Sequence, residues 1–211
     1  APSAVAPSSP DRRRNSARSS PFIRTPGAVA WRPAYVTIHP ERRAPMLQAL
    51  HCLYDYNTWA TQRVLDAAGR LRLQQFVAGH DGHEAIRDVL VHTVWAQWLW
   101  LERCQGSSPT VVWHAGQFPY VATLTARWRE VDAATHAFLD TLTPTDLERV
   151  IAYQNFAGET WRYPLWQALL HQANHAQQHR SEAALLLTRA GCSPGGLDLL
   201  VFEDERSAAH G

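Results

Sequence analysis

The chain contains no lysine, and all twenty of its basic residues are arginine. That points to a genome biased towards G and C and says little about function. Cysteine is scarce as well. Cys52, Cys104 and Cys192 are far apart and include no C-x-x-C pair, which argues against a disulfide scaffold and against a structural cysteine–zinc site. A reducing, cytoplasmic setting is the simplest expectation. Long apolar runs are missing: no window approaches the roughly 20 apolar residues that span a bilayer. The most apolar stretch, 89–101, is interrupted by His92, Thr93 and Gln97 and reads as a buried amphipathic helix. The start of the chain has no apolar core of a secretory signal. Net charge is nearly absent too, at +1 over 211 residues, which argues against a dedicated nucleic-acid binder.

What is present is unevenly placed. Residues 1–45 hold eight of the thirteen prolines and eight arginines against Asp11 and Glu41 alone, a net charge of +6. Residues 46–211 carry twelve arginines against seventeen acids, a net charge of −5. Pro, Ser, Ala and Arg dominate the first thirty residues without apolar periodicity, a composition that cannot bury enough surface to offset its ordering entropy. Residues 1–45 therefore read as a disordered basic leader or tail, translated ahead of a natural start near Met46. An Arg- and Ser-rich organelle address is the competing reading. The folded part is expected over 46–211.

Within that part, apolar residues recur at helical spacing over 46–69, including Leu50, Tyr54, Trp59 and Val64. A second helix is expected over about 82–104, opened by Asp81 and Glu84 as a capping pair. A third runs from Pro119 to Leu142. Alternating residues at 150–154 and 160–163 predict a small β-hairpin, and a fourth helix is expected over 165–190, stopped by Gly191. The sum is an all-α, four-helix bundle with a hairpin between its third and fourth helices.

Eleven histidines and nine tryptophans are high counts for this length. His171, His175 and His179 stand at i, i+4 and i+8 on the fourth helix, so they share one stripe. Ala168, Glu182 and Leu186 lie on the same stripe, which suggests that it faces inward. Two histidines at i, i+4 can place ring nitrogens on one ion. The alternative is a solvated polar face in an Ala- and Gln-rich helix. Two imidazoles rarely suffice for a metal, and His92, on an apparently core-facing line of the second helix, is a candidate third. The competing reading, a core histidine with one hydrogen bond, weakens because the pair needs a third partner. Other signatures fail. No Glu follows His175, so the H-E-x-x-H protease motif is absent. His179 and Glu182 reverse the di-iron E-x-x-H order. No nucleophile elbow, P-loop or dinucleotide fingerprint is present.

Four features in this order resemble the DinB/YfiT-like superfamily of metalloenzymes over nearly all of 46–211. They are the opening helix with Leu53-Tyr54-Asp55-Tyr56-Asn57-Thr58-Trp59-Ala60; His92 mid-helix, followed by aromatics and Gly106; the block Asn174-His175-Ala176-Gln177-Gln178-His179-Arg180, followed by Glu182 and Gly191; and the hydrophobic–acidic tail, 197–205. The resemblance implies a four-helix bundle in which His92, His175 and His179 bind a divalent metal, with His171 beside the triad. It also implies a homodimer as a common state. Some relatives are thiol-dependent transferases or isomerases. The family's association with DNA damage concerns expression and does not imply DNA binding, which the −5 charge of the folded part also opposes.

Three neutral imidazoles would leave a coordination position open, the pattern of catalytic sites. Such an ion can activate water or a thiol. Zinc or nickel is favoured, and iron or manganese also suits imidazole. Glu182 is a candidate proton acceptor or partner of His179, or else a surface carboxylate paired with Arg180 or Arg189. Asp88, one turn before His92, is a candidate to orient that ring. Trp59, Trp95, Trp98 and Trp100 are candidates for a substrate pocket, or simply core. The functional expectation is a metal-dependent hydrolase or low-molecular-weight-thiol transferase acting on a small molecule, with neither nucleic acid nor membrane as partner. The alternative is a non-catalytic metal-binding or stress-response interaction bundle.

Overall fold

The computed structural model describes residues 37–79 and 84–209. Four long helices dominate: α1 (Pro40–Ala68), α3 (Ile86–Cys104), α4 (Val121–Asp140) and α5 (Leu165–Arg189). A one-turn helix, α2 (Leu73–Val77), links the first two, and α6 (Leu199–Ala208) closes the described chain. Strands β1 (Val150–Gln154) and β2 (Thr160–Pro164) form an antiparallel hairpin pairing Val150 with Pro164 and Gln154 with Thr160. The fold is thus mostly helical with one small hairpin, as the apolar periodicity predicts. Among the described residues no helix is long and apolar enough to cross a membrane.

Most of the segment read as disordered over 1–45 lies outside the described residues, as do Asp81 and Gly82 at the expected start of the second helix. Helix α1, however, starts at Pro40, six residues before Met46. Proline is favoured at a first helical position, where its missing N–H has no intrahelical partner anyway. Tertiary contacts hold the added turn: Ile38 is buried, and Arg43 pairs with Glu148 at 3.1 Å. Elsewhere the turns follow local chemistry. Asn155 Oδ1 accepts from the amides of Ala157 and Glu159 across the hairpin loop. Gly191 (φ 79°) ends α5 in the left-handed conformation, and the Cys192 amide closes onto Leu187 O at 2.9 Å.

Packing runs along α3 and α5, with α1 against α5 and α4 against α1 and α3. The core is divided along the bundle. One apolar cluster gathers Val64, Leu90, Leu124 and Leu187. A second gathers Leu50, Trp100, Leu139 and Leu165. Between them in sequence, on every long helix, lie polar residues: Asn57 and Thr58, Gln97, Asp132 and Thr135, Gln177 and Arg180. Within the hydrophobic–acidic tail, 199–208 is helical because α1 receives it. Phe202 packs on Tyr56 and Trp59, with centroids at 6.0 and 5.7 Å, and Glu205 accepts from Trp59 Nε1 at 2.9 Å.

Candidate metal centre

Helix α5 carries His175 and His179 on adjacent turns, and α3 faces it with His92. The buried stripe of α5 is offset by one residue from the histidine row: it includes Gln172, Ala173, Ala176, Arg180 and Ala183. The expectation that the row faces inward is therefore corrected. His175, His179 and His92 are half-buried, and His171 and Glu182 are exposed, so the row runs along the margin of the α3–α5 seam. A reactive site needs that open side, and a core-facing row would have closed it.

The three rings converge. One nitrogen from each lies within 4.8 Å of those of the other two. His92 Nε2 and His175 Nε2 are 3.4 Å apart, and the ring centroids of His179 lie 4.6 Å from His92 and 4.5 Å from His175. Two nitrogens held about 2.1 Å from a shared ion at a tetrahedral angle would be separated by about 3.4 Å. Burial, then the neighbouring His179, pushes the His92 pKa down to about 4. Burial, then His179 and His92, pushes His175 down to about 3. Both rings are consequently neutral near pH 7, with lone pairs available to a cation. The donor set and its spacing fit a divalent ion of the imidazole-binding class.

Glu182 Oε2 stands 3.2 Å from His179 Nδ1. A carboxylate on that nitrogen fixes the tautomer with the proton on Nδ1, leaving Nε2 to ligate. Asp88 does not orient His92; its Oδ1 accepts from Arg87 Nε at 3.2 Å. His171 lies outside the triad, its ring 6.1 Å from His175 and 4.7 Å from Trp100.

The four candidate tryptophans separate. Trp95 flanks His92 at 5.7 Å and stacks on Phe156 of the hairpin loop. Trp100 lines a cavity of about 320 Å³ together with Tyr153, Tyr163, Gln167, Ala168 and His171. Trp98 stacks on Trp113 against the apolar cluster, and Trp59 serves the α1–α6 contact. Tyr153, Tyr163, Gln167 and Phe156 are the site neighbours that sequence reasoning missed. The available signal was the aromatic alternation of the two strands.

The sequence model of the DinB family matches residues 46–208. A solved structure of a DinB-like protein from Bacillus cereus is 24% identical, covering 72% of this chain and 95% of its own, with a TM-score of 0.55. That likeness concerns the fold. No curated protein matches the chain.

Proposed function

The chain belongs to the DinB family, and from that premise we propose that His92, His175 and His179 hold a divalent metal ion, zinc or nickel by preference, in a metal-dependent enzyme. The observation that carries this reading is the convergence of three imidazole nitrogens within 4.8 Å on a margin open to solvent. Iron or manganese would suit the same nitrogens. When bound, the ion supplies Lewis-acid activation of a water or of a small thiol.

The residues divide the remaining work. His92 comes from α3 and the other two ligands from α5, so the packing of those helices sets the ligand spacing. Glu182 positions His179 through Nδ1, and its exposed carboxylate is also free to take a proton from a molecule entering from solvent. Trp95 covers one flank of His92. The substrate is a small molecule, and the reaction is hydrolysis or transfer to a low-molecular-weight thiol. The test is a screen of zinc-loaded protein against simple esters and amides, with and without small thiols. Turnover that disappears with chelator and in His175→Ala supports the proposal. Turnover untouched by both contradicts it.

A further inference from the structure

Alternate residues of the hairpin point at the bundle. Ile151 and Tyr153 are buried on β1, and Trp161 and Tyr163 are half-buried on β2. Tyr153 and Tyr163 wall the 320 Å³ cavity together with Trp100 of α3 and Gln167, Ala168 and His171 of α5. No acid and no arginine is among these six. Arg103 is not a wall, because its guanidinium is stacked on the Tyr153 and Trp100 rings, 4.1 and 4.9 Å from their centres.

The polar groups on the walls are neutral ones. Burial pushes the Tyr153 hydroxyl up to about 12, so it stays a phenol. The Gln167 side chain is half-buried and makes no hydrogen bond among the described residues; its amide can donate and accept. A charged ligand would lose hydration here and find no opposite charge on the walls. A neutral carbonyl group would lose less, and amide and phenol are suited to receive it. The rings also select. The Tyr153 and Tyr163 planes lie within 26° of each other, while Trp100 stands at 76° to Tyr153 and 62° to His171. A flat ring among such walls meets faces and edges together, the two arrangements aromatic pairs favour. The volume is at the small end of the range for ligand sites, about 300–1,000 Å³, which suits one ring with a short substituent.

His171 gives the cavity its position. It is exposed, and it stands on the histidine row one turn before His175, with ring centroids 6.1 Å apart. The cavity thus reaches the same solvent-facing margin as the three-histidine centre, one turn along α5.

We propose that this cavity holds the uncharged aromatic ring of the substrate, a small aromatic amide or ester, beside the three-histidine centre. The assignment deepens the metal-enzyme reading by naming its substrate class. It rests on that reading for the reaction and not for the binding.

The probes are benzamide, benzoate, benzylammonium and cyclohexanecarboxamide. Binding to the full chain is followed by NMR in chelator-treated protein at about pH 8, where an imidazole with the ordinary pKa of about 6.5 is neutral. Benzamide should bind at least about tenfold more tightly than either charged probe, and about threefold more tightly than the saturated amide. In wild-type protein its ring protons should show nuclear Overhauser contacts to Trp100, Tyr153 and Tyr163, a readout that depends on no variant folding. Ala168→Phe, with helical circular dichroism retained, should abolish binding by filling the cavity. In cobalt-loaded protein, bound benzamide should relax faster than in chelator-treated protein, because the paramagnetic ion sits one turn away. Equal binding of benzamide and the charged probes, equal binding of the two amides, contacts to other rings only, or a folded Ala168→Phe that still binds overturns the proposal. So does unchanged relaxation in protein that has taken up cobalt. Failure of the metal reading would show separately, as no uptake of zinc or cobalt with the benzamide preference intact.

Discussion

Two polar clusters occupy the middle of this bundle, and they are built on opposite principles. On the α1–α3–α4 side, Asp132 is enclosed by partners. Thr58 Oγ1 lies 2.9 and 3.0 Å from its two oxygens, Gln97 Nε2 donates to it at 3.2 Å, and His136 Nε2 stands 4.0 Å away. Gln97 also reaches Thr135, and His136 Nε2 meets Thr58 at 2.9 Å. On the α3–α5 side, His92, His175 and His179 turn nitrogens towards one another without a carboxylate between them, and the nearest acid, Glu182, engages the outer nitrogen of His179. The first cluster satisfies its own members and ties three helices together. The second leaves lone pairs converging on a common point at the surface. Polar residues in a bundle interior are therefore not in themselves a site; unspent donor atoms that converge are.

The widest separation between the clusters should appear in metal affinity. His175→Ala removes one of the three proposed ligands and should weaken zinc binding by more than about a hundredfold, whereas Asp132→Asn, at an independent site, should change it by less than about twofold. Competition with a chromophoric chelator measures both, and a large effect of Asp132→Asn would break the comparison. Stability should show the reverse. Asp132→Ala takes the shared acceptor from Thr58 and Gln97, leaving them only His136 and Thr135 as partners, and should cost about 1–2 kcal/mol in urea unfolding, while His175→Ala in metal-free protein should change stability by less than about 1 kcal/mol. Glu182→Gln keeps the shape and weakens the hold on His179. A loss of about tenfold in zinc affinity is expected, at the low end for such partners because the carboxylate is exposed.

The smallest effect is the pH dependence of the metal-free chain. His92 and His175 protonate near 4 and 3 when folded, against about 6.5 when unfolded. As pH falls below about 6.5 the unfolded state takes up protons first, so stability is lost down to about pH 4, an effect that solvent screening of these half-buried rings reduces. Burial raises the Asp132 carboxyl instead, so its contribution moves the other way in acid: the folded state protonates first. Urea midpoints at about pH 7 and about pH 5 should fall for wild type and fall less for the His92→Leu, His175→Leu double variant. Equal slopes would show that the rings are not held neutral by the fold.

Much of the architecture is written in local pattern. Helix α5 was expected over 165–190 and is observed over Leu165–Arg189; the strands agree to within one residue. Both are bounded by turn chemistry that a sequence displays. The misses are elements held by distant contacts. Helix α2 has five residues and one buried apolar side chain, Phe76, too short for a period to show. Helix α6 depends on Phe202 and Glu205 reaching α1, and the start of α1 depends on Arg43 reaching Glu148. At the site, i, i+4 spacing makes His175 and His179 legible as a pair, and family resemblance supplies His92. Spacing alone could not show the one-residue offset that puts the row at the margin, nor that the hairpin aromatics wall a cavity, because both follow from how separate elements pack.

The central claim is that three imidazoles on two helices form one metal centre. Metal content of the untagged chain after zinc loading and gel filtration tests it most directly. One zinc per chain in wild type, and none in a His92→Ala, His175→Ala, His179→Ala variant that keeps its helical circular dichroism, is the predicted result. Wild-type protein without zinc, or a folded triple variant with as much zinc as wild type, would contradict it.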